Sequence, residues 1–481
     1  MILGNGRRGP TLDDLFRRAG VRHPHALALV DPPDRERFTD GAARALTFSQ
    51  VDRAISGFAA KLRSLGLHAD TVVGLQLPNT VESVVALLGV LRAGMIAAPL
   101  PLLWRQHDLV KALDCAGAKV IVTSGRIGEE RHAELAMQVA AELFPIRYVC
   151  AFGTDADGVV PFDDLFDEAT SELIPAPHLE QPGAHVAVLT FETKVEGIRV
   201  VARSHAQLAA SGERLATECG LPADGQILST VPFTSFVAFS AALVPWLVRG
   251  GTLHLHHGFA PETFATQCAS LEGGAVVLPA PALPALADSL GTAGTTIALW
   301  RAPERMQAAP LQKHSVIDIA CFGEAGLLAT PRDAQGAVLP LPFGADTERT
   351  KRGTLALRAS GTELDIFPPA DEPTDPVASA FTDTGMPCQA DPERGTLIIT
   401  GGLPGLALVG GYRFARSDLN TILAEVAPDA TIAALPHAIL GERLAGSAPE
   451  LEIVEVELAS RRLNPLIASA FRPRTRATGQ F

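Results

Sequence analysis

Between Thr190 and Arg199 the chain reads TFETKVEGIR, which places two hydroxyls, a lysine and an arginine within ten residues. Hydroxyls and cations so close together are the groups that hold a phosphate: Thr190, Thr193, Lys194 and Arg199 are the candidates. The apolar run before them (Ala187 to Leu189) and the β-branched stretch after them, ending in Ser204-His205, are ordered as strand, phosphate loop and second strand. Yet the loop holds a single glycine, Gly197, and two carboxylates, Glu192 and Glu196. A carboxylate about 5 Å from one phosphate charge costs on the order of 3 kcal/mol at an effective dielectric near 20. The same residues also make an ordinary surface loop with salt-bridged glutamates. A lone histidine such as His205 is more often packed or hydrogen-bonded than catalytic. The chain offers no nucleophilic Ser/His/Asp or Cys/His set at a known spacing. Its six cysteines stand far apart, with no CxxC pair for zinc, and read as buried small hydrophobes in a reducing compartment.

The elements that must position these residues can be read from periodicity. In LTFSQVDRAISGFAAKLRSLGL the apolar positions Val51, Ile55, Phe58, Ala59, Leu62 and Leu65 recur at three and four, which predicts a helix. TVVGLQLPNT follows as a buried strand, VESVVALLGVLRAG as a helix closed by Gly94, and AKVIVTS as a strand. This alternation marks an α/β architecture with parallel sheets. It returns from Gly225 to Leu290 with strands at QILSTVPF, GTLHLHHG and GAVVLPAP. A β-rich interval follows Asp318, including RGTLALRASG, and FPPADEPTDP (Phe367 to Pro376) is a Pro-rich loop by composition. The most apolar stretch, Val81 to Leu103, is broken by Glu82, Arg92, Gly94 and Pro99, so it predicts helix, turn and strand rather than a membrane span. At 481 residues several domains are expected, and a net charge of -13 argues against a nucleic-acid partner. With no signal-peptide pattern at the N-terminus, the reading is a cytoplasmic protein.

The run TVVGLQLPNTVESVVALLGVLRAGMIAAPLPLLWRQHDLVKALDCAGAKVIVTS resembles the adenylate-forming superfamily, especially acyl-CoA synthetases. The resemblance continues in order through LTFSQV, VPFTSF, GGTLHLHHGF, CFGEAG, GTLALR and LPHAILGERLAG, covering nearly the whole chain. It implies a large N-terminal domain of layered α/β subdomains with a β-rich subdomain (1–400) and a small, mobile α/β C-terminal domain (401–481). Gly401 to Gly405 is the hinge candidate. It further implies ATP and magnesium as cofactors, a small carboxylate or acyl thioester as substrate, and coenzyme A or an acyl carrier protein as acceptor.

The same resemblance locates departures. The Gly/Ser/Thr-rich phosphate loop of the family corresponds to Thr190–Arg199. Its ribose-binding Asp falls on Met386 of Thr384-Gly385-Met386, with Asp383 as a substitute after a register shift, or simply a turn residue. Its magnesium-binding Glu falls on Glu324 once two preceding residues are deleted. The lysine that bridges carboxylate and α-phosphate falls on Gln480, near Arg474 and Arg476. A neutral amide cannot offset developing negative charge as an ammonium does, a loss of roughly 3 kcal/mol or more. The wall of the acyl pocket resembles VPFTSFVAFSAAL, with Phe233, Ser235, Phe236 and Phe239 as lining and His205 nearby, although the phenylalanines suit an ordinary core equally well. At the hinge the family's Arg and charged Lys-Asp pair fall on Gly402, Pro404 and Gly405. Phosphate loop, ribose aspartate, hinge and terminal lysine make four departures on an intact scaffold, which predict an acyl-CoA-synthetase-like chain deficient in adenylation that binds an acyl ligand or a partner. Two alternatives stand: an active acyl-CoA or carrier-protein ligase with substituted residues, and acyl transfer without ATP.

Overall fold

The structure, a computed structural model, describes residues 9–154, 156–166, 181–258, 260–307, 315–332, 340–358, 365–366 and 381–472. Two eight-stranded, mostly parallel sheets dominate it. The first contains Val72–Gln76, Ile96–Pro99, Val120–Ser124 and the hairpin Val186–Lys194/Gly197–Ser204; the second contains Leu27–Val30, Gln226–Ser229, Thr252–Leu255, Ala275–Pro279, Thr295–Trp300 and Ser315–Cys321. Helices Phe48–Ser64 and Val81–Arg92 fill the core that both sheets share, with Phe58, Val84 and Leu88 against Val73, Val120, Ile227 and Leu253. Further helices cover the outer faces. Leu109, Leu113 and Val139 pack on one sheet, and Phe264, Cys268 and Leu283 on the other. This burial on both faces is why the strands read as nearly unbroken apolar runs.

Local chemistry explains the boundaries. Thr47 opens Phe48–Ser64 through a reciprocal capping box with Gln50, and Ser204 opens His205–Glu218 in the same way with Gln207. Val81–Arg92 is buried on nearly every side, so its near neighbours must be small: a Cβ on Gly89 would lie 2.5 Å from the Phe58 ring. Its one buried cation, Arg92, is matched by Asp13 and Asp52, each at 2.7 Å. The stretch from Val81 is thus helix, a turn at Gly94 and strand Ile96–Pro99, and no helix among the described residues is long and apolar enough to cross a membrane. Cys150, Cys219, Cys268, Cys321 and Cys388 are buried as expected, whereas Cys115 is exposed on helix Gln106–Ala116.

After Asp318 a five-stranded antiparallel sheet is built around Thr354–Arg358, Phe381–Asp391 and Thr396–Ile399. Residues 367–376 lie outside the described residues. Beyond Gly405, which takes a φ of +76°, the chain forms a four-stranded sheet (Leu406–Val409, Tyr412–Ala415, Thr431–His437, Gly441–Ser447) with helices Arg416–Val426 and Leu451–Ser460. This smaller part has its own core of Phe414, Leu423, Leu444, Leu458 and Phe471.

Candidate functional site

The stretch expected to be a phosphate loop is regular β structure. Val186–Lys194 and Gly197–Ser204 pair antiparallel through Glu192↔Arg199, Thr193↔Ile198 and Lys194↔Gly197, so only Val195 and Glu196 remain to make the turn. Gly197, at φ +127°, supplies the backbone that so short a turn needs. The backbone groups that Thr190–Lys194 and Gly197–Arg199 turn toward each other are thereby committed to the ladder. Strand alternation points Thr190, Glu192 and Lys194 to one face. Phe191 points to the other and meets the Trp104 ring edge-on at 5.5 Å.

On the first face two polar clusters lie side by side. In one, the buried Glu192 carboxylate accepts from Arg413 at 2.8 Å, is paired with Lys194 at 3.1 Å, and is bonded by Arg199. Burial alone would raise the Glu192 carboxyl, but Arg413, Lys194 and Arg199 outweigh it and hold the group below the usual carboxylate range. Arg413 belongs to the smaller part of the chain, 221 residues away in sequence. Gly323 leaves room for the pair, since a Cβ there would lie 2.6 Å from both an Arg413 nitrogen and a Glu192 oxygen. Beside Arg413, the Leu103 N–H donates to the Tyr412 hydroxyl at 3.2 Å, and Arg305 bonds the Gly441 carbonyl.

In the second cluster, Glu324 is buried and both of its oxygens are engaged. Thr190 donates to one at 2.6 Å, and the Phe236 N–H donates to the other at 3.3 Å. Arg203, fully buried, bonds the Glu324 backbone carbonyl, stands 3.4 Å from its carboxylate and lays its guanidinium 3.8 Å from the Phe236 ring centre. The structure therefore brings Thr190, Lys194, Arg199, Glu324 and Phe236 together. It sets the remaining candidates elsewhere or in other roles. His205 is buried with its Nδ1 accepting from Leu12 N–H at 3.1 Å, and burial drives its imidazole down to about 3. Asp383 is exposed and accepts from the Gly385 N–H at 2.8 Å, while Met386 is buried in the core of the five-stranded sheet. Phe233, Phe236 and Phe239 are all buried, and the cavity beside Phe233 is about 20 Å³, room for a water but not for an acyl chain. The Ser235 hydroxyl has no hydrogen-bond partner among the described residues. Arg474, Arg476 and Gln480 lie outside the described residues.

Two residues central to these clusters carry no sequence motif. Arg203 interrupts the buried strand stretch VVARS, an oddity that could have flagged it. Arg413 is visible only as one residue of GGYRF, and its partner is unforeseeable from sequence.

A family profile described as AMP-binding enzyme matches residues 16–282. The 2-hydroxy-7-methoxy-5-methyl-1-naphthoate–CoA ligase of Streptomyces carzinostaticus is 28% identical over 264 residues, 53% of this chain and 45% of that protein. Long-chain fatty acid transport protein 1 of Bos taurus is 30% identical over 173 residues, 36% of this chain and 25% of that protein. The matches thus span less than half the length of these curated relatives. Among solved structures, the amide bond synthetase McbA of Marinactinospora thermotolerans superposes with a TM-score of 0.71 at 18% identity, covering 95% of this chain and 94% of that one. At that identity the likeness shows the fold.

Proposed function

The chain belongs to the AMP-binding enzyme family, and we propose that within it this member no longer adenylates a carboxylate and serves instead as a binding module. One observation carries the reading: the segment that should cradle the outgoing pyrophosphate is a paired hairpin with a buried carboxylate, Glu192, set among its cations and Arg413. A triphosphate would have to displace that buried carboxylate from Lys194, Arg199 and Arg413, or sit beside it at a cost of about 3 kcal/mol. Nor does Glu324 fit a magnesium ion. Magnesium takes oxygen ligands at about 2.0–2.1 Å in near-ideal octahedral geometry. Here both carboxylate oxygens already accept hydrogen bonds and a guanidinium stands 3.4 Å away, so a second cation would be repelled.

The closed space beside Phe233 favours a protein partner over an acyl chain, because a chain would have to move buried phenylalanines before it could enter. The deciding experiment is calorimetric titration with magnesium and ATP, paired with carboxylate-dependent exchange of pyrophosphate into ATP. The acids tested should include naphthoates and long-chain fatty acids, for which the relatives are named. The expected result is no binding heat and no exchange. Exchange with any of these acids, abolished by Lys194→Ala or Arg199→Ala, would make the chain a ligase with substituted residues.

A further inference from the structure

An open groove of about 1120 Å³ runs between helices Leu12–Arg22, His205–Glu218 and Val244–Arg249. Leu15, Leu247 and Val248 give it an apolar lining, and Val21, 83% exposed, stands at its edge. Its rim is basic. Arg17 is satisfied by Asp13 at 3.1 Å, but Arg18 and Arg22 stand one helical turn apart with no ion-pair partner among the described residues, a like-charge arrangement that is mildly unfavourable in isolation. The acidic groups in the groove are already committed. Glu213 meets Arg249 at 3.6 Å, and Asp14 closes the capping box of Thr11.

The complementary surface is on the same chain, in the smaller part. Helix Leu451–Ser460 turns Val454 and Leu458 into its core and leaves Ile453 and Val456 outside, 62% and 70% exposed. Spaced three apart, these two form one apolar stripe, flanked by the exposed Glu452 and by Glu457, which the exposed Arg461 meets at 3.7 Å and would release on docking. An acidic apolar helix face matches a basic apolar groove in both respects. The scale also fits, since ten residues of helix run about 15 Å and are about 10 Å across.

We infer that helix Leu451–Ser460 of one copy docks in the groove of a second copy, with Ile453 and Val456 against Val21 and Leu247, and Glu452 and Glu457 facing Arg18 and Arg22. The contact joins two different surfaces, so it is heterologous: each pairing leaves one groove and one helix free, and chains of copies or a ring result. It uses neither the hairpin nor Glu324, and it stands whether or not the chain adenylates. Sedimentation velocity over a concentration series tests it with two exposed-site variants, Arg18→Glu/Arg22→Glu in the groove and Ile453→Lys/Val456→Lys on the helix. The wild type should gain mass with concentration. Each variant alone should stay monomeric, its apparent dissociation constant weakened roughly tenfold or more. Mixed in equal amounts, the variants should form a dimer and nothing larger, because each supplies the surface the other lacks. As a control independent of any packing damage, a chain carrying Arg18→Glu, Arg22→Glu, Glu452→Arg and Glu457→Arg together, which offers no wild-type surface, should regain concentration-dependent mass. A wild type that remains monomeric throughout, single variants that associate like wild type, or a mixture that stays monomeric would each overturn the inference.

Discussion

Glu192 stands where three cations converge, and its carboxylate, bonded by each of them, offsets one of their three charges. Replacing it by the neutral amide of the same shape leaves Lys194, Arg199 and Arg413 with one fewer negative charge among them. Removing a carboxylate about 5 Å from a bound phosphate relieves about 3 kcal/mol at an effective dielectric near 20, about two orders of magnitude in affinity. Glu192→Gln is therefore expected to bind inorganic pyrophosphate in calorimetry where the wild type does not, and Glu192→Gln/Arg199→Ala to lose that binding again. Absence of heat from a folded Glu192→Gln would show that the cluster is a structural latch and nothing more. From sequence, Glu192 reads as a liability for phosphate binding, and the structure adds the reason it is tolerated. Its principal partner, Arg413, comes from the other end of the chain, and no local spacing discloses such a pairing.

The hairpin shows what periodicity could and could not disclose. Helices such as Phe48–Ser64 and strands such as Val72–Gln76 follow from apolar spacing, because each buries a face or a whole segment that only one period can fill. Thr190–Arg199 mixes charges, hydroxyls and one glycine, which is also how a loop reads. What makes it a strand pair is cross-strand context: Phe191 opposite Val200, Thr193 opposite Ile198, and a turn of just Val195 and Glu196. Strand pairing of this kind opposes a loop's function as an element. Converting Gln480→Lys alone is accordingly expected to leave pyrophosphate exchange silent, since groups that act in one transition state are strongly non-additive. Replacing 190–199 with a Gly/Ser/Thr-rich loop in that variant is expected to open the ladder and bring exchange into the measurable range. Exchange from Gln480→Lys by itself would show that the native hairpin already holds the nucleotide.

At the scale of the molecule, the layered core has taken in histidines that a smaller fold would leave in water. Burial drives the imidazoles of His132 and His205 down to about 3 and that of His254 down to about 4, from an ordinary value near 6.5. His132 meets Gln76 at 3.1 Å and His254 meets Gln226 at 2.9 Å, contacts that a neutral ring can make. Below pH 6.5 the unfolded chain binds protons that these folded positions refuse, so their contribution is complete above pH 6.5 and is lost as pH falls toward 4. Each such histidine removes up to about 1.4 kcal/mol of stability per pH unit within that window. Asp108, whose carboxyl burial pushes up to about 6, acts in the opposite sense between the ordinary carboxylate range and pH 6, as do Asp13, Asp31 and Glu304, which burial also raises. On the other side burial lowers His107, His185, His256 and His257 as well, which sets seven histidines against four carboxyls among the described residues. Glu192, held low, adds its own loss only as pH falls below the ordinary carboxylate range. The net expectation is a melting temperature and unfolding free energy that fall steadily from pH 6.5 to 5. The slope should be shallower in His132→Gln and in His254→Gln, whatever either variant does to stability at pH 7.5. A slope unchanged in both would mean that these rings take up protons in the folded state, so that the core around Gln76 and Gln226 is open to water.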